Sequence, residues 1–215
     1  MRGWAFIRQA PTIGNLLAVT LLHSFSAGLN NTVMLFFVTT TLGLPATSIA
    51  WLSASNGVAQ LLTGGALLVA GQRLRSSMIL RLSLLTMAIG GALVAAAPSL
   101  IVLVLGVVVT SLGNAPFNIA CDTAFQRFVP TALLGRVRGA ANVSAMLLFL
   151  TATSGAGWGL IWLQPRLLLV LSAVLMLLAF FTFWWRQSAY QHSEREAGRR
   201  TEQSPNLASR SADMV

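Results

Sequence analysis

Lysine is absent from this 215-residue chain and acidic residues are scarce: all 14 basic residues are arginine, and only five residues are Asp or Glu. The single cysteine, Cys121, excludes a disulfide within the chain. Charged residues make up 9% of the sequence, against about a quarter in soluble domains. With 55% hydrophobic residues and a mean hydropathy of +0.74, this shortage of charge is typical of a membrane protein.

Long uncharged segments locate the predicted transmembrane helices. Gaps of 64, 40, 27 and 19 residues separate successive charged residues, and a spanning helix needs about 20 apolar residues. Gly43 to Thr47 and Ala97 to Ser99 hold turn-forming residues that divide the two longest gaps. We therefore predict an all-α membrane protein with six transmembrane helices, at 13–40, 47–70, 77–97, 99–125, 138–162 and 166–186.

The arginines are distributed unequally between the two predicted sides of the membrane. Arg166 alone falls on one side, and thirteen fall on the other: Arg2, Arg8, Arg73, Arg75, Arg81, Arg127, Arg136, Arg138, Arg186, Arg195, Arg199, Arg200 and Arg210. The positive-inside rule then predicts a multi-pass plasma (inner) membrane protein with both termini in the cytoplasm. The formal charge of +9 thus indicates a lipid bilayer as partner, and no nucleic acid.

Two terminal segments flank the predicted bundle of residues 13–186. Residues 1–12 interleave aromatic residues with arginine, which fits either a cytoplasmic interfacial helix or a simple anchor. Residues 187–215 are polar and lack apolar periodicity, so we predict a disordered cytoplasmic tail.

Polar residues within the spans are candidates for a substrate pathway, because lipid cannot satisfy their hydrogen bonds. The fourth span carries one helical face of polar residues, at Ser111, Asn114, Asn118, Asp122 and Gln126. A shorter stripe in the second span includes Asn56 and Gln60, and the first span places His23, Ser26 and Asn30 on one face. We predict that five of these line a pathway for a small-molecule substrate: His23, Asn30, Gln60, Asn114 and Asn118. The alternative is hydrogen bonding between packed helices, and for His23 a proton relay is also open.

Asp122 is the only acidic residue before the tail, and it lies near Arg127, Arg136 and Arg138 in the sequence. It is either a proton-coupling carboxylate or one member of an ion pair that fixes the inner gate. We favour the ion pair, with Arg136 or Arg138. The small residues of the fifth span, from Gly139 to Gly159, predict close helix packing.

Enzyme chemistry is poorly supported. The chain has two histidines, one of them in the tail, one cysteine and one carboxylate within the membrane. It contains no HExxH motif and no paired intramembrane aspartates. We therefore predict no catalytic residue, no metal site and no cofactor.

Short motifs at three predicted loops resemble those of a transporter family. Gln126-Arg127-Phe128-Val129-Pro130, followed by Leu134-Gly135-Arg136-Val137-Arg138-Gly139, is similar to the loop between helices ten and eleven of major facilitator superfamily transporters. It resembles most the branch of siderophore exporters and macrolide-type efflux proteins. Gly3-Trp4-Ala5-Phe6-Ile7-Arg8 with Pro11 resembles the end of that branch's central loop, and Thr41-Leu42-Gly43-Leu44 resembles its outer loop between helices seven and eight. The segment Gly71-Gln72-Arg73-Leu74-Arg75 departs from the family pattern, because it lacks the acidic residue usual in the loop between helices eight and nine.

The resemblance implies that the chain corresponds to helices seven to twelve, the C-terminal half of a twelve-helix efflux permease. Such a half would export a small organic molecule or drug by alternating access, driven by proton entry, together with an N-terminal six-helix half or a second copy. The alternative is a self-assembling six-helix scaffold or regulatory subunit without transport activity.

Overall fold

A computed structural model describes residues 11–70 and 76–185 of the chain. Six helices occupy these residues: α1 (Pro11–Phe36), continued by a π-helical turn (Phe37–Thr41), α2 (Ser48–Ala70), α3 (Ser76–Ala96), α4 (Leu100–Phe128), α5 (Thr131–Trp162) and α6 (Pro165–Trp185). The described residues contain no β-strand, and the predicted all-α class is confirmed. The predicted lead-in up to residue 10 and the predicted tail lie outside the described residues.

Five of the six described helices are long and apolar enough to cross a membrane. The exception is α2, in which Ser53, Asn56 and Gln60 interrupt an otherwise apolar sequence. Its 23 residues still give a length of about 35 Å, slightly more than that of α3 or α6, which have 21 residues each. The structure thus has a helix for each predicted span. The polar stripe of α2 lowers the hydropathy of this helix below that of the other five.

The fifth helix begins seven residues earlier than predicted. Val129 is extended and Pro130 has a ψ of 140°, so the chain turns within these two residues, and α5 starts at Thr131. The residue before a proline is biased toward extended backbone, whereas nothing in the following sequence prevents a helix. Arg136 and Arg138 therefore lie within the first turns of α5 and not in a loop.

The helices form an open arc in which each packs against its neighbours in the order α2, α4, α3, α6, α1, α5. If α1, α2 and α3 are matched to α4, α5 and α6, the five neighbour pairs of the arc map onto one another. Such a symmetry is expected of the inverted repeats that are common in transporter folds. The helices at the two ends of the arc, α2 and α5, each pack mainly against a single neighbour. They consequently expose most of their surface.

The apolar core consists of two clusters. One, which includes Leu84, Phe125 and Phe183, lies at the end of the bundle where α4 ends and α5 begins; the other, which includes Val33 and Leu103, lies at the opposite end. In a membrane such clusters stabilise helix contacts through packing, since lipid is as apolar as leucine. Polar residues occupy the level between them.

Glycine permits the closest helix contact, between α3 and α4. A Cβ added at Gly90 would collide with the backbone of Thr110, and one added at Gly113 would collide with the carbonyl oxygen of Ser83. Small residues allow membrane helices to approach in this way. The α3–α4 contact is therefore the one that depends most directly on glycine.

The glycines of α5 do not show the close packing predicted from the sequence, and glycines of α2 are similarly open. No heavy atom lies within 4 Å of a Cβ added at Gly57, Gly64, Gly139, Gly155 or Gly157, and Gly159 is only in ordinary contact with Leu168. Within the described bundle, these glycines of α5 thus do not pack closely against another helix, and the close contact of α5 with α1 lies instead at Ala152, opposite Gly28. Most of them lie on the surface at one end of the arc.

The described arginines are divided between the two ends of the bundle as predicted from the loops. Arg166, at the start of α6, donates from Nη2 to the carbonyl oxygen of Ala97 (3.1 Å) and so links the α3–α4 turn to α6. The other described arginines lie at the opposite end: Arg81, Arg127, Arg136 and Arg138.

Candidate functional site

A cavity of about 400 Å³ lies between the two apolar clusters, and all six helices contribute to its lining. Its volume lies within the range of about 300–1,000 Å³ typical of small-molecule sites. Carboxamide, hydroxyl and imidazole groups make up the polar part of the lining: His23, Ser26, Asn30, Asn31, Ser53, Asn56, Thr110, Ser111, Asn114 and Ser172. The described residues of the lining include no Asp, Glu or Arg, so they offer hydrogen bonds without a fixed charge.

Helices α1 and α4 place carboxamides in this cavity. Asn30 and Asn114 are both partly exposed to it, and each carboxamide has two N–H donors and one carbonyl acceptor. Met34, Met87 and Met176 add flexible apolar surface. The arrangement can bind a molecule that has both hydrogen-bonding groups and an apolar body.

His23 lines the same cavity from α1 and contacts α4 through its ring. The ring centroid lies 4.8 Å from that of Phe117, at an interplanar angle of 58°. The Nδ1 atom of His23 is buried and has no hydrogen-bond partner among the described residues. A buried imidazole nitrogen without a partner is uncommon, and here it belongs to a residue that lines a cavity.

Asn56 joins α2 to α4. Its Oδ1 accepts a hydrogen bond from Nε2 of Gln60 (2.9 Å), one turn along α2, and another from Oγ of Ser111 on α4. Gln60 is therefore bonded to a residue of the cavity wall and is not itself part of that wall. The polar stripe of α2 thus has both predicted roles: Asn56 forms hydrogen bonds that join α2 to α4, and Ser53 and Asn56 line the cavity.

Asn118 likewise lies outside the cavity lining. Its Nδ2 donates to Oδ1 of Asn114 (2.8 Å) and to the carbonyl oxygen of Asn114 (3.0 Å), and its side chain is exposed. Of the five predicted pathway residues, the structure brings His23, Asn30 and Asn114 to one cavity. Gln60 and Asn118 each lie about one helical turn away, toward the arginine-bearing end of the bundle.

Hydroxyl groups fix α1 between its two neighbours next to the cavity. The Oγ atoms of Ser26 and Ser172 lie 2.7 Å apart and join α1 to α6. Thr32 donates to the carbonyl oxygen of Thr153 (3.3 Å) and Thr153 to that of Gly28 (3.3 Å), which joins α1 to α5. These bonds hold the helix that carries His23 and Asn30.

An ion pair joins α4 to α5 at the arginine-bearing end. Nη2 of Arg138 lies 2.7 Å from Oδ1 of Asp122. Arg136 is exposed, and no ion pair involves it in the described part of the chain. Among the described residues, no group of His, Cys, Asp and Glu side chains could hold a metal ion.

Several residues of the site carried no distinctive signal in the sequence. In the sequence, Phe117 is indistinguishable from other apolar residues of its helix, and its contact with His23 depends on how α1 and α4 pack. Ser172, in the most apolar part of α6, bonds to a residue 146 positions away. A polar residue isolated in an apolar span is the only signal that could have indicated such a contact.

Comparisons with known proteins agree with the helical architecture. No curated protein shows significant similarity to the chain. A solved structure, the in meso crystal structure of the POT family transporter PepTSo, is similar with a TM-score of 0.67 at 17% sequence identity. That similarity covers 84% of this chain and 38% of the PepTSo chain, so this chain spans less than half the length of that transporter.

The sequence itself matches the Major Facilitator Superfamily over residues 16–211. This range takes in nearly all of α1 and the whole of each later helix. A multi-pass helical bundle with a polar cavity between two apolar clusters is consistent with that match. The chain therefore belongs to the Major Facilitator Superfamily.

Proposed function

We propose that this chain forms the C-terminal six-helix half of a secondary active transporter, an efflux permease that exports a small organic molecule or drug by alternating access. The observation that carries the proposal is the polar cavity between the two apolar clusters, lined by His23, Asn30 and Asn114. Transporters of this kind bind substrate near the membrane midplane, between two bundles that rock against each other. The sequence resemblance to siderophore and macrolide exporters supports the direction of transport.

The lining favours a substrate without a strong fixed charge. Asn30 and Asn114 offer donors and acceptors from α1 and α4, whereas no carboxylate or guanidinium in the lining would neutralise a charged substrate. We place Gln60 and Asn118 along the route from the cavity toward the arginine-bearing end, since each lies one turn from a cavity residue in that direction.

We assign the coupling proton of this half to His23. It is the one histidine among the described residues of the cavity lining, which include no carboxylate, imidazole is a common proton carrier in proteins, and its Nδ1 has no described partner. Asp122 is engaged by Arg138 outside the cavity, which suits a gating role for that carboxylate. We further place both termini in the cytoplasm, because the arginines cluster at one end of the bundle.

A second bundle completes the proposed site. Several glycines of α2 and α5, at the two ends of the arc, have open space around the position of a Cβ, and small residues of this kind allow close helix contact. An N-terminal six-helix half or a second copy of this chain is the proposed partner. The scaffold alternative requires the same association but gives no role to the cavity.

Ligand binding tests the proposal. The purified chain in nanodiscs would be screened by thermal shift against uncharged, hydrogen-bonding organic molecules, including macrolides. We expect a compound that raises the melting temperature, and we expect Asn114→Ala to abolish the rise. The matched control is Asn142→Ala, which removes an exposed carboxamide on α5. A rise that survives both Asn114→Ala and Asn30→Ala would contradict a substrate site in this cavity.

A further inference from the structure

Arg81 is a charged residue on an otherwise apolar, outward-facing surface. It follows the fully buried Leu80 on α3, and Trp184 follows the equally buried Phe183 on α6. The exposed residues around it are large and apolar: Met78, Leu82, Leu85, Phe181, Trp184 and Trp185. Such a surface suits lipid chains, in which a charge without a counterion is costly.

The guanidinium of Arg81 is held in place by two contacts. Its Nε donates to the carbonyl oxygen of Ser77 (3.3 Å), and its central carbon lies 5.8 Å from the ring centroid of Trp184, a cation–π distance. Phe180 contacts Trp184 in turn, with ring centroids 5.8 Å apart. The orientation of the charged group is thus fixed by protein, while its two Nη groups have no described hydrogen-bond partner.

The other described arginines near the membrane ends are either paired or simply exposed. Arg138 pairs with Asp122, and Arg166 bonds to the carbonyl oxygen of Ala97. Arg127 and Arg136 are exposed. In the part of the chain that the structure describes, no carboxylate forms an ion pair with Arg81. A partly buried guanidinium that has no counterion among the described residues favours binding of an anion from the surroundings.

The depth of Arg81 matches a lipid phosphate. It lies five residues after the start of α3 at Ser76, which is about 7.5 Å along the helix axis, and an arginine side chain can extend that far toward the interface. Trp184 is the penultimate residue of α6, a position typical of the aromatic belt.

We propose that Arg81 and Trp184 form a binding site for the phosphate of an anionic phospholipid, whose chains lie along the apolar surface of α3 and α6. The two Nη groups supply paired donors to the phosphate oxygens, which is the geometry that favours arginine over lysine. A net-negative headgroup is selected over a zwitterionic one, because the headgroup's own ammonium would compete with the guanidinium for the phosphate. This site lies on the outer surface of the bundle and does not depend on the proposed transport activity.

The test compares lipids and variants on the full chain in nanodiscs. Adding phosphatidylglycerol to a phosphatidylcholine background is expected to raise the melting temperature, and native mass spectrometry is expected to show retained phosphatidylglycerol. Arg81→Gln should remove the temperature rise and weaken retention about tenfold, the loss typical of one charged hydrogen-bond partner. Arg136→Gln, which removes the same charge from an exposed position at the same end, should change neither.

Two further variants keep the proposal testable if Arg81→Gln does not fold. Arg81→Lys retains the charge but loses the paired donors, and Trp184→Leu retains the arginine but loses the ring that orients it; both should reduce retention. Equal retention in all Arg81 and Trp184 variants, or an equal loss in Arg136→Gln, would overturn the proposal. A stabilisation by inorganic phosphate as large as that by the lipid would also overturn it, because it would indicate a site for small anions.

Discussion

The carboxylate of Asp122 and the guanidinium of Arg138 lie 2.7 Å apart and connect the last turns of α4 to the first turns of α5. The two side chains are 53% and 37% exposed, respectively. Exposed ion pairs contribute only about 0–1 kcal/mol, because water screens them. The pair therefore contributes little to the stability of the bundle, which is compatible with the gating role proposed for Asp122.

Single substitutions at this pair should affect transport more than stability. We expect Asp122→Asn and Arg138→Gln to change the free energy of unfolding by less than about 1 kcal/mol while reducing efflux from cells that contain the complete transporter. The exchanged double variant, Asp122→Arg with Arg138→Asp, should recover part of the efflux. Arg136→Gln serves as the control of equal charge. Failure of the exchange to restore any efflux, with normal amounts of protein in the membrane, would contradict a gating pair.

The α3–α4 contact should be intolerant of a single added methyl group. Gly90→Ala places a Cβ against the backbone of Thr110, and overpacking of this kind costs about 1–3 kcal/mol. Gly57→Ala is the matched control, because open space surrounds the added Cβ and alanine is the better helix former. Thermal melting in detergent should show a lower melting temperature for the first variant alone. Equal melting temperatures would mean that α3 and α4 lie further apart than described.

Thiol labelling can establish which face of α4 meets water. In a Cys121→Ser background, cysteines at positions 114 and 118 should react quickly with small polar thiol reagents, because Asn114 lines the cavity and Asn118 is exposed on the same face. Cysteines at Leu112 and Ile119 should react slowly, because these apolar residues are exposed on other faces of the helix, where we expect lipid. Equal reactivity at all four positions would contradict a water-accessible stripe.

The open glycines of α2 and α5 should be needed for association. Gly64→Leu and Gly157→Leu add bulk where the isolated bundle has open space, so the folded chain should tolerate them. Cross-linking to a partner bundle should nevertheless decrease, because close helix contact requires small residues. Ala92→Leu, which adds similar bulk at an exposed position on α3, is the control. Unchanged cross-linking in both glycine variants would place the interface elsewhere.

The helices could be predicted from the sequence because charge and turn-forming residues are so unevenly distributed. Gaps between charged residues and the prolines at 45 and 98 located each helix. The start of α5 cannot be placed in this way, because an arginine marks the end of an apolar segment and not the end of a helix. In the structure Arg136 and Arg138 continue the helix beyond its apolar part.

The candidate site was harder to predict than the helices. Helical periodicity places Asn114 and Asn118 on one face, but it does not tell how far along that face the cavity extends. Which residues meet across helices, such as Ser111 with Asn56 or His23 with Phe117, depends on the order of helices in the arc. The sequence of one transmembrane helix does not indicate which other helices lie next to it in the arc.

The measurement that tests the central claim most directly is transport by reconstituted protein of known stoichiometry. The claim is that this bundle supplies one side of a substrate site that a second bundle completes. Proteoliposomes that contain the chain as a proven monomer, under a proton gradient and with a panel of efflux substrates, should show no transport. Co-reconstitution with a matching N-terminal six-helix half should produce transport that Asn114→Ala abolishes. Robust transport by the monomer alone would contradict the account.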